Sequence, residues 1–330
     1  GYPALVLAGR RALGPLLSAL PEELRWTVAG QVVTVAFGVA AAWAAYGLGR
    51  ALVGGRAAFL GALVVSLLPH PVAYGSDALS DVPCLAMVCG GVWLVLSAAR
   101  RSRPWWLLPV GLLAGAASYV RPEGLLPVVP AVVLAARRVL GRGGPPRRGA
   151  WAAASVAMLL LAAGLVVPYQ LFTGSLLPKK RAPHEPNAEA RLDAPTPPRA
   201  SAAAGVGPHV PAAPTCRADL EAPLRAIEDV LDHWFTSLRW YFAVPLLAGA
   251  RWWSLRRRLR GPADSRWILL AAVGVELAAL LTHNVVYGYT SRRHVLPLLA
   301  LPCGFIGSGL LVLGAGLHRL ARRRPTLAGR

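Results

Sequence analysis

Nine predominantly apolar runs divide this chain, at 26–48, 57–74, 82–99, 105–120, 125–136, 150–172, 235–250, 267–287 and 295–317. A helix that crosses the hydrocarbon core of a bilayer needs about 20 mostly apolar residues. Most of the runs reach or approach that length. The fourth, fifth and seventh are short, and each fits a tilted span, a re-entrant piece or half of a hairpin. With 55% hydrophobic and only 15% charged residues among 330, and a mean hydropathy of +0.49, the chain is more apolar than one soluble core requires. The reading is an all-α, polytopic membrane helix bundle of about nine spans.

The arginines between the runs orient it. Arg50 and Arg56, "RRSR" at 100–103, "RRVLGRGGPPRR" at 137–148, "RWWSLRRRLR" at 251–260 and "HRLARRRP" at 318–325 fall at every second connection. Cytoplasmic loops are enriched in Lys and Arg, so this alternation supports all nine spans and a multi-pass protein of the cytoplasmic (inner) membrane. It also accounts for a net charge of +20 without nucleic acid, whose binders cluster their basic residues on a folded surface. The four cysteines form no C-x-x-C pair, so neither a zinc site nor a disulfide framework is expected.

The other connections then face outward: "HPVAYGSDALSD" at 70–81, "RPEG" at 121–124, the long segment 173–234 and "YTSRRH" at 289–294. The first part of the long segment, about 173–218, is rich in Pro, Ala and charge and reads as a flexible outer loop. From 219 to 235 the pattern turns amphipathic, with Leu220, Leu224, Ile227, Leu231 and Trp234 at helical spacing. Such a helix fits either the outer membrane surface or the mouth of the bundle.

"SDALSDVP", a basic loop with tryptophans, "GLLAGAASYVRPEGLL" and "YTSRRHVLPLLALP" occur in that order. Together they resemble the GT-C membrane glycosyltransferases, in the branch that holds protein O-mannosyltransferases, the aminoarabinose transferase of lipid A and bacterial relatives. The opening "GYPALVLAGRRAL" looks like the end of that family's first outer loop. The resemblance implies a hexosyl- or pentosyltransferase that uses a polyprenyl-phosphate sugar donor, inverts the anomeric carbon, and serves a glycan, lipid or protein acceptor at the extracytoplasmic face. It also implies an acidic residue in the first outer loop, expected upstream of Gly1 together with a first span, so no catalytic residue is assigned within 1–330. No cofactor is identified; a divalent metal is compatible with the family, but its ligands would sit in that upstream loop.

The residues themselves point the same way. Transfer from a phosphate-linked donor builds negative charge on the leaving phosphate, and arginine stabilises it with a planar fork. Arg121, Arg292 and Arg293 sit at outer span ends, where a lipid phosphate lies. One of Arg292 and Arg293 is expected to reach the site and the other the headgroups. Glu123 pairs with Arg121 or lines the site beside it. Asp81 either lines the cavity or caps the third span with Ser80, and Asp77 shares its helical face. Lys179 and Lys180 fit the donor phosphate or anionic headgroups, and His70 a sugar, a phosphate or the interface. Glu276 and His283 share a face of the eighth span, where a buried carboxylate must face the bundle or a wet cavity; a protonated Glu276 bonded to a neighbouring helix is the favoured arrangement. The competing classes are a transporter or flippase of lipid-linked glycans, which places polar groups near the midplane, and a non-catalytic membrane subunit.

Overall fold

The computed structural model describes residues 2–76, 80–141, 148–173, 221–260, 264–287 and 292–323, and these are helical with no strand among them. The order is α1 (Tyr2–Leu17), α2 (Glu22–Val53), α3 (Gly55–Leu67), α4 (Pro69–Ser76), α5 (Asp81–Arg101), α6 (Leu108–Val120), α7 (Val128–Leu140) and α8 (Arg148–Thr173). After the long segment come α9 (Glu221–Leu238), α10 (Ala243–Arg260), α11 (Asp264–Tyr287), α12 (Leu296–Ala300) and α13 (Cys303–Arg323). Short 3-10 turns, Pro104–Leu107 and Pro122–Leu125, lead toward α6 and α7. Proline starts both, where its missing N–H costs nothing.

Every apolar run is helical, but the count of nine spans does not carry over intact. Among the described residues, five helical stretches are long and apolar enough to cross a membrane: Glu22–Val53, Asp81–Arg101, Arg148–Leu171, Asp264–Val286 and Leu296–Arg319. Gly55–Leu67 and Pro104–Val120 are apolar but shorter. The runs in α7 and α10 end in arginines within the helix, which lowers their hydropathy below that of a span on its own. Alternation of arginines counts crossings; it does not measure how deep each short helix reaches.

Two kinds of surface distinguish the bundle. Outward-facing Val39, Trp43, Leu160 and Leu270 are largely exposed, as lipid-facing residues must be. Inside, Leu48, Leu96, Leu107, Leu134, Trp151, Ile268 and Ile306 form the main core. Small residues let backbones close in around α13, because lipid tails supply no hydrophobic drive between helices and packing must do the work. A Cβ placed on Gly307 would meet the carbonyl oxygen of Ala57 in α3 at 1.9 Å, and one on Gly309 that of Pro245 in α10 at 1.7 Å. Glycine at these two positions therefore sets how closely α3 and α10 flank α13.

Helix α9 faces two ways. Ala226, Val230 and Leu238 are buried, and Val230 packs on Leu280, Val295 and Leu298. Asn284 of α11 donates to the Asp229 carboxylate at 2.5 Å, and the Trp234 indole N–H donates to the Leu298 carbonyl at 3.4 Å. The sequence's apolar stripe lies mostly elsewhere: Leu224, Ile227 and Leu231 are exposed and Trp234 is half-buried. A packed helix and an apolar outward face thus coexist on one element.

Candidate functional site

The first turn of α5 supplies Asp81, whose carboxylate does not cap the helix. Ser80 at the N-cap makes no side-chain capping bond, and Asp81 turns instead to the Arg121 guanidinium, with which it forms an ion pair. Arg121 leaves α6 in an extended conformation (φ −155°, ψ 146°), because the proline that follows disfavours helical backbone. That break swings its side chain toward α5. Glu123, in the turn begun by Pro122, pairs with the same guanidinium at 3.3 Å. One arginine therefore holds two carboxylates from two segments: Arg121 and Glu123 pair with each other, as one reading of "YVRPEG" has it, and the pair lines a cleft.

These groups wall one cleft. Asp81, Cys84, Arg121, Glu123, Glu276, Leu280, Arg293, His294 and Pro297 are among its lining residues. Glu276 comes from the middle of α11, twelve residues and so about 18 Å of helix beyond Asp264. It is 2% exposed, and among the described residues its Oε2 has no hydrogen-bond partner; Glu123 Oε2 is likewise buried and unpartnered among them. Among the described residues, the expected bond from Glu276 to a neighbouring helix is not formed. Its carboxyl group belongs to the cleft.

Arg293 lines the cleft with no carboxylate within ion-pair distance among the described residues, whereas Arg292 is exposed. His294 follows, 7% exposed, and its ring meets that of His283 edge-on with centroids 4.8 Å apart. Sequence reasoning missed His294 in the cleft, although its place beside Arg293 on an outer connection was a usable signal. It also kept Glu276 apart from Asp81, because nothing in the spacing shows how far the cleft dips along α11.

His70 lies in α4, and its side chain is outside the described residues; Asp77, Lys179 and Lys180 are outside them altogether, as is the expected flexible loop after α8. Among the described residues no group of three or more His, Cys, Asp or Glu side chains is arranged to hold a metal ion.

Comparison with known proteins adds two likenesses. Residues 23–167, less than half of the chain, match the model of a family described as dolichyl-phosphate-mannose-protein mannosyltransferase. The matched stretch runs from α2 into α8 and contains Asp81, Arg121 and Glu123. The fold is similar to that of the Archaeoglobus fulgidus oligosaccharyltransferase, seen in a crystal structure of its apo form, with a TM-score of 0.56 and 13% sequence identity. The likeness covers 96% of this chain but 43% of that one, so the chain spans less than half the length of the protein it matches. No curated protein matches the chain. The structural likeness supports a helix-bundle fold, and the long apolar helices support a multi-pass membrane protein.

Proposed function

We propose that the chain is the membrane-embedded part of a GT-C glycosyltransferase, moving a sugar from a polyprenyl-phosphate donor to a glycan, lipid or protein acceptor on the extracytoplasmic side of the cytoplasmic membrane. The carrying observation is a cleft that holds an uncompensated arginine, Arg293, beside a carboxylate-rich wall at the mouth of an apolar bundle. In the transfer, the bond between the anomeric carbon and the phosphate oxygen breaks, the phosphate departs with the electron pair, and the acceptor oxygen or nitrogen bonds to the sugar as it loses its proton.

The charges divide the labour. Arg121 is engaged by Asp81 and Glu123, so a phosphate arriving there must compete with two carboxylates. Arg293 faces no such competitor among the described residues, and its guanidinium can stabilise the leaving phosphate where charge develops. Arg121 acts as a positioning residue that fixes the wall. The exposed apolar face of α9, anchored to α11 and α12 beside the cleft, lies in the outer membrane interface, where the isoprenoid tail and headgroup separate.

The test is transfer from a polyprenyl-phosphate-linked hexose by the full protein in reconstituted vesicles. Arg293→Ala is expected to lower the rate about 100-fold or more, the scale for loss of one preorganised cationic contact to developing charge. Arg293→Lys, which keeps the charge without the fork, is expected to retain part of it. Wild-type rates in Arg293→Ala would reject this assignment.

A further inference from the structure

At the end of the bundle away from the cleft, several helices meet around the last turn of α2. Its successive Ala51 and Leu52 carbonyls accept from Arg100 of α5 at 3.2 Å and from the Trp253 indole N–H of α10 at 3.0 Å. Arg266 of α11 lies over that indole at 5.8 Å, and Arg138 of α7 donates to the Ala99 carbonyl of α5. The connections that meet here, 49–56, 100–104, 137–148 and 251–266, carry sixteen arginines and a single carboxylate, Asp264. Arg137 and Arg138 already engage that carboxylate. Arg101 and Arg266 therefore have no carboxylate within ion-pair distance among the described residues.

Membrane sidedness asks for positive charge in such connections, but it does not ask that the charge be fixed in place. Here it is fixed. Arg101 lies over the Trp106 ring at 4.8 Å, and Trp106 packs on the main core. Trp253, under Arg266, is held by its bond to Leu52 and by an edge-on contact with Phe305 at 5.1 Å. A guanidinium stacked on an indole keeps its N–H edge free, and its side-chain freedom is already restricted before an anion arrives. Trp105, Trp252 and Trp267 at this same end are 55%, 39% and 48% exposed. Tryptophans at span ends sit at headgroup depth, and Glu22–Val53, Asp81–Arg101 and Asp264–Val286 each have an end here. The unmatched guanidiniums thus lie at the level of lipid phosphates, which favours a membrane lipid over a nucleic acid or an acidic protein.

We infer that this end of the bundle is a docking surface for anionic glycerophospholipid, whose phosphate is gripped by Arg101 on Trp106 and by Arg266 on Trp253. The inference stands apart from the donor reading, which concerns the opposite end of α5. Bound phosphates supply the counter-charge that one carboxylate cannot, and so relieve the repulsion among the arginines. A zwitterionic headgroup carries no net charge to do this.

The experiment is native mass spectrometry of the full chain released from nanodiscs of equal parts phosphatidylglycerol and phosphatidylcholine, counting the lipids it retains. Wild-type protein is expected to enrich phosphatidylglycerol about 25-fold, roughly fivefold for each of the two guanidiniums. Arg101→Ala with Arg266→Ala should remove most of that enrichment. Arg10→Ala with Arg11→Ala, which removes the same charge near the other end of α2, should leave it unchanged. Trp106→Leu with Trp253→Leu keeps every charge and is expected to lower the enrichment about fivefold, because the guanidiniums are no longer held. Should the alanine pair fail to fold, Arg101→Lys with Arg266→Lys, which keeps the charge without the fork, is expected to give a value below wild type. Equal retention of the two lipids by wild-type protein overturns the inference without any variant. So does an enrichment that falls equally in the Arg10/Arg11 and Arg101/Arg266 pairs, which would reduce it to net charge. Binding of single-stranded RNA in phosphatidylcholine nanodiscs, without phosphatidylglycerol enrichment in the mixed ones, would assign the face to nucleic acid instead.

Discussion

Two polar clusters occupy opposite ends of the same helices and use the same residue types to different ends. At one end of α5 lies the cleft; at the other, about 30 Å away along a helix of 21 residues, Arg137 and Arg138 of α7 meet Asp264 of α11. Arg138 pairs with Asp264 at 2.6 Å, donates to the Ala99 carbonyl at 3.1 Å and lies over the Trp151 ring at 5.5 Å, while its buried Nε has no partner among the described residues. Arg137 adds a second contact to Asp264 at 3.5 Å and stacks on Trp267. Both oxygens of that carboxylate face cations. This cluster staples α5, α7, α8 and α11 together, and its charges are matched within the protein. The cleft is different: two buried carboxyl oxygens lack partners and one lining arginine lacks a counterion among the described residues. The matched cluster holds helices, whereas the unmatched one is the site proposed for the donor.

Substitutions can break or sharpen that contrast. The largest expected effect is the loss of about 100-fold or more in transfer by Arg293→Ala, with the thermal midpoint of the detergent-solubilised protein unchanged because no partner is stranded. Next, Arg121→Ala leaves Asp81 and Glu123 facing one another and is expected to cost about 3 kcal/mol of stability, as well as lowering transfer. A thermal melt and a transfer assay on the same preparation separate the two losses. At the matched end, Arg138→Ala is expected to cost about 2 kcal/mol, because the partners are partly exposed, with transfer per folded molecule retained. A drop in specific activity there equal to that of Arg293→Ala would erase the contrast. Gly309→Ala is expected to cost about 1–3 kcal/mol by pushing α10 away from α13, with no change in donor affinity. The smallest effect belongs to the exposed pair of Arg10 and Glu22, where Arg10→Ala should shift the melt by no more than about 1 kcal/mol.

Much of this layout is legible in the sequence, for identifiable reasons. Apolar runs and arginine alternation put Asp81, "RPEG" and "SRRH" at the same end of the bundle, and the fold brings Asp81, Arg121, Glu123 and Arg293 to one cleft. Their pairing was not legible. Forty residues separate Asp81 from Arg121, and whether the arginine meets a phosphate or a carboxylate depends on where the Pro122 break aims it. Glu276 was visible as a costly charge in an apolar run, yet its membership in the cleft depends on how α11 sits against α5. The span count was legible only in part, since charge alternation records sidedness while α7 and α10 have too little apolar length of their own. The two faces of α9 follow from small residues, Ala226 and Val230, making the contact that a search for large apolar residues assigns to Leu224, Ile227 and Leu231.

The central claim is that the unmatched end, not the stapled end, receives the lipid phosphate. Photocrosslinking tests it most directly, with a polyprenyl phosphate carrying a diazirine in its first isoprene unit and the adducts mapped by peptide mass spectrometry. The account predicts adducts on the segments bearing Leu280, Leu296 and Pro297, diminished by Arg293→Ala. Adducts concentrated on the segments bearing Arg100, Arg138 and Asp264, and indifferent to Arg293, would contradict it.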